Sequence, residues 1–317
     1  GGIVAIQALR LMYYEGFSRF FNGDGTEFVP LRLAPERTRA RRRTVPNAGA
    51  DDARMAPGRV TIFAKGNLDV HDTLHSLRVG GTVVWNGINE VLRERVPGKV
   101  ARVRHETWSR SDALLEVDGR VPAALAGRRL ALGPYPLESQ FSRAIFDTPA
   151  DAYVLSIQPD VTTYLFRHRR EGFPLLAYGW EGWAAPDLQW LRDEFEPDRL
   201  LDPEASMRGL AAITERLRGR SDAPILVYNL SSIVPGDSVH CYAGLDETLA
   251  TRIRRFNVAL VDLSHRTGIS IVDVDAAVAR GGADRLKLDA LHLNAEGCRL
   301  VAEEAVRVMD DLGVFAR

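Results

Sequence analysis

From residue 59 onward the chain is punctuated by five short runs of β-branched and other apolar residues. They fall at 59–66 (RVTIFAKG), 99–106 (KVARVRHE), 151–160 (DAYVLSIQPD), 223–232 (APILVYNLSS) and 268–275 (GISIVDVD). Their length and β-branched content predict strands. Between them, residues 88–95, 207–218, 249–266 and 295–312 predict helices, the last two with apolar residues at spacings of three and four. Continuous apolar strands alternating with amphipathic helices predict an α/β fold with a mainly parallel five-stranded sheet covered on both faces. In such sheets ligands bind beyond the carboxyl ends of the strands. The stretches to inspect are therefore 66–69, 105–111, 158–160, 229–232 and the loop that holds Asp289 and His292.

Two connections break the alternation. Residues 119–150 and 162–206 are long insertions after the second and third strands, of a length more typical of lids or binding walls than of structureless chain. The second carries Tyr164, Phe166, Tyr178, Trp180, Trp183 and Trp190, which predict a satellite core; a substrate wall is the alternative. Residues 1–54 differ in texture: a possible amphipathic helix is followed by the charged, aperiodic LAPERTRARRRTVPNAGADDARM. They read as a partly disordered appendage to a domain over 55–317.

Charge and composition then narrow the function classes. Lys and Arg number 41 against 42 Asp and Glu, a formal net charge of −1, which argues against nucleic acid as a partner. The two cysteines, Cys241 and Cys298, cannot form a disulfide framework and fit a reducing, cytoplasmic setting. No apolar run has transmembrane length and no signal peptide is visible, so no membrane association is expected. The expected partner is a small-molecule substrate, with no cofactor; the oligomeric state stays open.

The chemistry concentrates in LKLDALHLNAEGC at residues 286–298. Asp289 and His292 stand three apart on a turn, a spacing that lets both side chains face one cavity. A carboxylate that accepts one ring N–H fixes the imidazole tautomer and stabilises the imidazolium. Asn294 can cap the following helix without help from either residue. The final strand, variable loop, Asp-x-x-His pair, LNAEG and terminal amphipathic helix together resemble the SGNH (GDSL) hydrolase family, over roughly residues 59–312. That resemblance implies a three-layer α/β/α sandwich of flavodoxin-like type and acyl-group chemistry. It casts His292 as the general base and Asp289 as its orienting partner.

The other family blocks are altered. The register from VTIFAKG sets Gly66 on the family Gly, Asn67 on its Asp and Leu68 on its nucleophilic Ser; Leu68 has no nucleophilic atom. Trp108, Ser109, Arg110 and Ser111 stand where a Gly would line the oxyanion hole, and Gln158 and Asp160 where Gly-x-Asn would stand. Asp69, one residue beyond the aligned Ser, is then a candidate nucleophile, base or polar contact. Asn67, Leu68, Ser109, Gln158 and Asp160 are the candidate substrate contacts. A relocated serine (Ser109, Ser111, Ser231 or Ser232) is a further option, although serines at strand ends usually cap turns. His71 and His75, four apart, could share a helix face and bind a metal with Asp69, Asp72 or His292, but no second ligand motif reinforces this. The leading expectation is a divergent SGNH-like hydrolase or acyltransferase acting on an ester, amide or related small acyl compound. The alternatives are a non-hydrolytic or ligand-binding relative and an interaction module built on the aromatic insertion.

Overall fold

Residues 62–64 of the first strand show how the layers arise: Ile62, Phe63 and Ala64 are all fully buried, yet Ile62 and Ala64 join one core cluster and Phe63 joins another. Successive side chains of a strand point to opposite faces, so a strand apolar at every position must be covered twice. In the computed structural model the described residues are 58–79, 81–237 and 241–316. The expected appendage at 1–54 lies outside them.

In chain order, strand β1 (Gly58–Lys65) leads into helix α1 (Leu68–Leu74), the hairpin β2 (Leu77–Val79) and β3 (Thr82–Trp85), and helix α2 (Ile88–Arg95). Strand β4 (Lys99–Glu106), helix α3 (Ser111–Glu116), strand β5 (Ala152–Ser156) and the short helix α4 (Gln158–Thr162) follow. The long insertion then contributes β6 (Phe166–His168), β7 (Pro174–Leu175), α5 (Ala185–Glu194) and β8 (Phe195–Pro197). The domain closes with α6 (Pro203–Arg218), β9 (Ile225–Tyr228), α7 (Leu249–Thr267), β10 (Ser270–Val272), α8 (Val274–Gly281) and α9 (Ala295–Asp311). Three of the expected strands, the third, fourth and fifth, are shorter than the apolar pattern implied. The third stops at Ser156 because Pro159 cannot donate to a ladder, and Gln158–Thr162 coils into a helical turn instead.

The five-stranded sheet has the order β10-β9-β5-β1-β4, and every pairing is parallel. On one face, Val60, Ile62, Val154, Leu226 and Val272 pack against Val70 of α1, Val91 of α2, Val278 of α8 and Val301 and Met309 of α9. On the other, Phe63, Tyr153, Leu155 and Val227 meet Leu114 of α3, Ile213 of α6 and Phe256 and Leu260 of α7. The result is the three-layer α/β/α sandwich with a parallel five-stranded sheet that the pattern predicted. Burying each Phe, Ile or Leu in these layers contributes about 1.5–3 kcal/mol.

The chain leaves β1 to one side for β4 and returns on the other for β5. The strand order therefore reverses between β1 and β5, and a crevice opens there at the carboxyl ends. The insertions build a separate small core. Strands β7-β6-β8 form an antiparallel sheet, and Leu125, Phe141, Leu175, Trp183, Leu191 and Phe195 are buried together with Phe166, Trp180 and Trp190 partly covered. Tyr164 and Tyr178 remain exposed. Among the described residues no helix is long and apolar enough to cross a membrane.

Candidate functional site

The turn that leaves β1 is tight for a steric reason. A Cβ on Gly66 would lie 2.5 Å from Val70 Cγ2, so only glycine lets α1 begin this close to the strand. Asn67 precedes the helix, and Leu68, its first residue, keeps 38% of its surface exposed. Asp69 turns inward. Its Oδ1 accepts the Asn67 backbone N–H at 3.1 Å, and its Oδ2 accepts the Ser156 hydroxyl from the end of β5. Ser156 Oγ in turn accepts the Gln158 N–H at 2.9 Å. Burial pushes the Asp69 carboxyl up to about 6; the Ser156 and backbone bonds and the nearby His292 only partly oppose this.

The second half of the site is the loop before α9. It is pinned by Leu288 N–H to His292 O and Asn294 N–H to Leu286 O, both 2.9 Å. Asp289 Oδ1 accepts the backbone N–H groups of Leu291 and His292 at 2.8 Å each, and Oδ2 receives the His292 ring at Nδ1, 2.7 Å. Partial burial works against the charged Asp289, but the His292 ring and the two N–H groups outweigh it and hold the carboxyl well below the usual range. Asp289 raises His292 in return, opposed by partial burial and helped by Asp72 and Asp69. With Nδ1 facing a carboxylate, the neutral ring carries its hydrogen there and leaves Nε2 as the acceptor. The helix cap is Asn294, whose Oδ1 accepts the Gly297 N–H at 3.0 Å. His292 is thus free of any capping duty.

These two halves meet. Leu68, Asp69, Asp72, His292, Leu293 and Cys298 line one small crevice. Behind Asp69 lies a second cavity, lined in part by Asn229, Ser231, Lys287 and Leu291, with room of about 20 Å³, enough for one water. In front, Leu68 and Asn67 also border an open groove of about 360 Å³.

No protein-family model matches the chain, and no curated protein does. Solved structures do resemble it. They include LAE5, an alpha/beta hydrolase enzyme from the metagenome of Lake Arreo, at 15% identity over 80% of this chain and 96% of that one, with a TM-score of 0.45. Another is a member of the lipolytic protein G-D-S-L family from Veillonella parvula, at 12% identity over 80% and 98%, TM-score 0.42. A third is Axe2, an acetylxylan esterase from Geobacillus stearothermophilus, at 12% identity over 80% and 95%, TM-score 0.43. Identities this low carry no residue roles across, and the site has to be read from its own atoms.

Several candidate residues take up other places. Asp160 is completely buried and spends both oxygens inside the fold, on the Ser111 N–H (2.7 Å), the Ser111 hydroxyl (2.6 Å) and the Ser206 hydroxyl (2.6 Å). It ties α3 to α6, which also removes Ser111 as a relocated nucleophile. Ser109 and Gln158 are buried, and Gln158 Oε1 has no hydrogen-bond partner among the described residues. Ser232 is held by Asp275 through its N–H and hydroxyl, whereas the Ser231 hydroxyl is buried without a partner among the described residues. The His71 and His75 rings stack at 4.9 Å and 25°, with His105 edge-on to both. Stacked rings direct their nitrogen lone pairs in parallel planes rather than toward one point. Among the described residues no cluster of His, Cys, Asp or Glu is arranged to hold a metal ion. Ser156 is the site group that sequence reading missed, and Asp72 was raised there only as a metal partner; their approach depends on sheet order and helix placement, which no local pattern encodes.

Proposed function

We propose that this protein is an SGNH-like hydrolase or acyltransferase that works without a serine nucleophile on an ester, amide or related small acyl compound. The observation that carries the reading is the His292 ring, held through Nδ1 by Asp289, bordering one crevice with Leu68 and Asp69 at the point where strand order reverses. In this reading Nε2 takes a proton from water or an acceptor alcohol as its oxygen bonds to the acyl carbon. The same proton then passes to the departing oxygen or nitrogen. Asp289 keeps the tautomer and stabilises the imidazolium, and Asp69 and Asp72 add negative field beside it. Asp69 acts here through charge rather than as a nucleophile, because its oxygens are already bonded to Ser156 and the Asn67 N–H. The test is turnover of short acyl esters by the purified chain. His292→Ala is expected to lower kcat by about 10²–10⁴-fold, and an unchanged kcat rejects the assignment.

One observation favours a second reading, a binding or non-hydrolytic enzyme: an exposed, inert Leu68 stands at the turn where the resemblance sets a nucleophile. Ester turnover separates the two, with a fluorophosphonate probe reporting any nucleophilic serine introduced. Ester turnover by the native chain supports the first; turnover and labelling that appear only in Leu68→Ser support the second.

A further inference from the structure

The open groove in front of Leu68 has a chemistry of its own. One wall is His71, whose ring stacks on His75 and meets His105 edge-on. Tyr135 also lines the groove, itself packed on the exposed Tyr178 at 5.0 Å between ring centres. At the inner end is Asn67, only 5% exposed, with Oδ1 lacking any hydrogen-bond partner among the described residues. A buried carbonyl oxygen left unpaired costs free energy unless a ligand or water donates to it.

The charges around the groove are already matched. His71 Nδ1 meets Asp72 at 2.8 Å, and Glu106 pairs with Lys65 at 3.4 Å and Arg104 at 2.8 Å. An ionic ligand would find no unmatched partner among them. Aromatic side chains, two acceptor oxygens without a hydrogen-bond partner among the described residues (Asn67 Oδ1 and Glu106 Oε2) and paired charges define a complement: an uncharged ring carrying hydroxyl donors. Volume agrees, since about 360 Å³ lies within the range of small-molecule sites.

We infer that this groove binds a neutral hydroxylated ring, against His71 and Tyr135, with a ring hydroxyl donating to Asn67 Oδ1. Leu68, shared by groove and crevice, is then the sill over which the reacting end reaches His292. The inference rests on the acyl-transfer reading for that last step alone; binding in the groove stands apart from it. A sugar and a phenol share this chemistry, and the experiment separates them.

Saturation-transfer NMR and titration of the full chain would use methyl glucoside and resorcinol as probes, with benzoate and cyclohexane-diammonium as charged controls. One of the two neutral probes is expected to bind and the controls are not. His71→Ala, Tyr135→Ala and Asn67→Leu are each expected to raise Kd at least about fivefold, equivalent to about 1 kcal/mol, with circular dichroism unchanged. His292→Ala is expected to leave Kd unaltered. Failure of both neutral probes to bind, or a Kd unchanged from the parent in all three groove variants, overturns the inference. Probe binding without ester turnover sinks the acyl-transfer reading and leaves the groove standing; turnover without probe binding does the reverse.

Discussion

Replacing Asp69 by Asn should reverse the sign of its effect on stability between pH 4 and pH 8. Burial raises the folded-state carboxyl from 3.8 to about 6, so the folded protein holds its proton where the unfolded chain has lost it. Below pH 3.8 both states are protonated and the stability is fully present. From 3.8 to about 6 the unfolded chain ionises while the folded state keeps its proton, so that stability falls and is lost once pH passes about 6. A difference of about two units at about 1.4 kcal/mol each sets this loss at about 3 kcal/mol. The substituted amide does not ionise, and its carbonyl oxygen can still accept the Asn67 N–H. It cannot accept the Ser156 hydroxyl as the carboxylate does, a loss of about 1 kcal/mol at every pH. The variant should therefore be about 1 kcal/mol less stable than the parent at pH 4 and about 2 kcal/mol more stable at pH 8. Urea unfolding at pH 4, 6 and 8 measures it, with the pH 8 midpoint moving up by about 1 M for a slope near 2 kcal/mol per M. Asp160, raised by burial to about 6 as well, is common to both proteins and cancels in the difference. A variant less stable at pH 8, or one offset by the same amount at all three values, refutes the placement of a charged Asp69 in the interior. Ester turnover should move the other way, because the His292 imidazolium loses a neighbouring negative charge.

The other expectations are quicker to state. The kcat/KM profile should rise with pH as His292 loses its proton, with a midpoint above 6.5 because Asp289 holds that proton; Asp289→Asn should lower the midpoint, read from the same profile. Asp160→Ala leaves the N–H and hydroxyl of Ser111 and the hydroxyl of Ser206 unpaired in the core and should cost at least about 3 kcal/mol by chemical denaturation, with KM unchanged. Gly66→Ala drives a methyl into Val70 and should destabilise by about 1–3 kcal/mol, with a further fall in kcat because α1 carries Asp69.

What the sequence disclosed depended on how local each feature is. The run at 59–66 maps onto β1 because that strand is covered on two faces, and Val60–Ile62–Phe63–Ala64 admits little else, whereas 99–106 maps onto the edge strand β4, where exposed Val100, Arg102 and Arg104 alternate with more buried neighbours. The Asp289–His292 pair was visible because its bond closes over three residues and needs no distant partner. Asp160 was a candidate by its register in LSIQPDV, and where its side chain goes is decided by distant packing. Pro159 ends the strand before it, and the helical turn swings the carboxylate under α3 and α6. The aromatic insertion was legible in kind, as Trp183 and Phe195 in their own small core show.

Ser156 marks the boundary between the two situations. Its contact with Asp69 spans 87 residues, and no spacing rule reaches that far. Yet it follows from topology once the sheet order is known. β1 and β5 are parallel neighbours with Lys65 opposite Leu155, so the residue after Leu155 and the turn after Lys65 must arrive at the same level of the same crevice. A strand-end hydroxyl on β5 is therefore the group best sited to meet a carboxylate entering from α1. The meeting requires that carboxylate to be buried, and its burial lifts its proton affinity toward neutrality. The acid, the imidazole and its orienting carboxylate thus stand around a turn whose Leu68 offers no attacking oxygen.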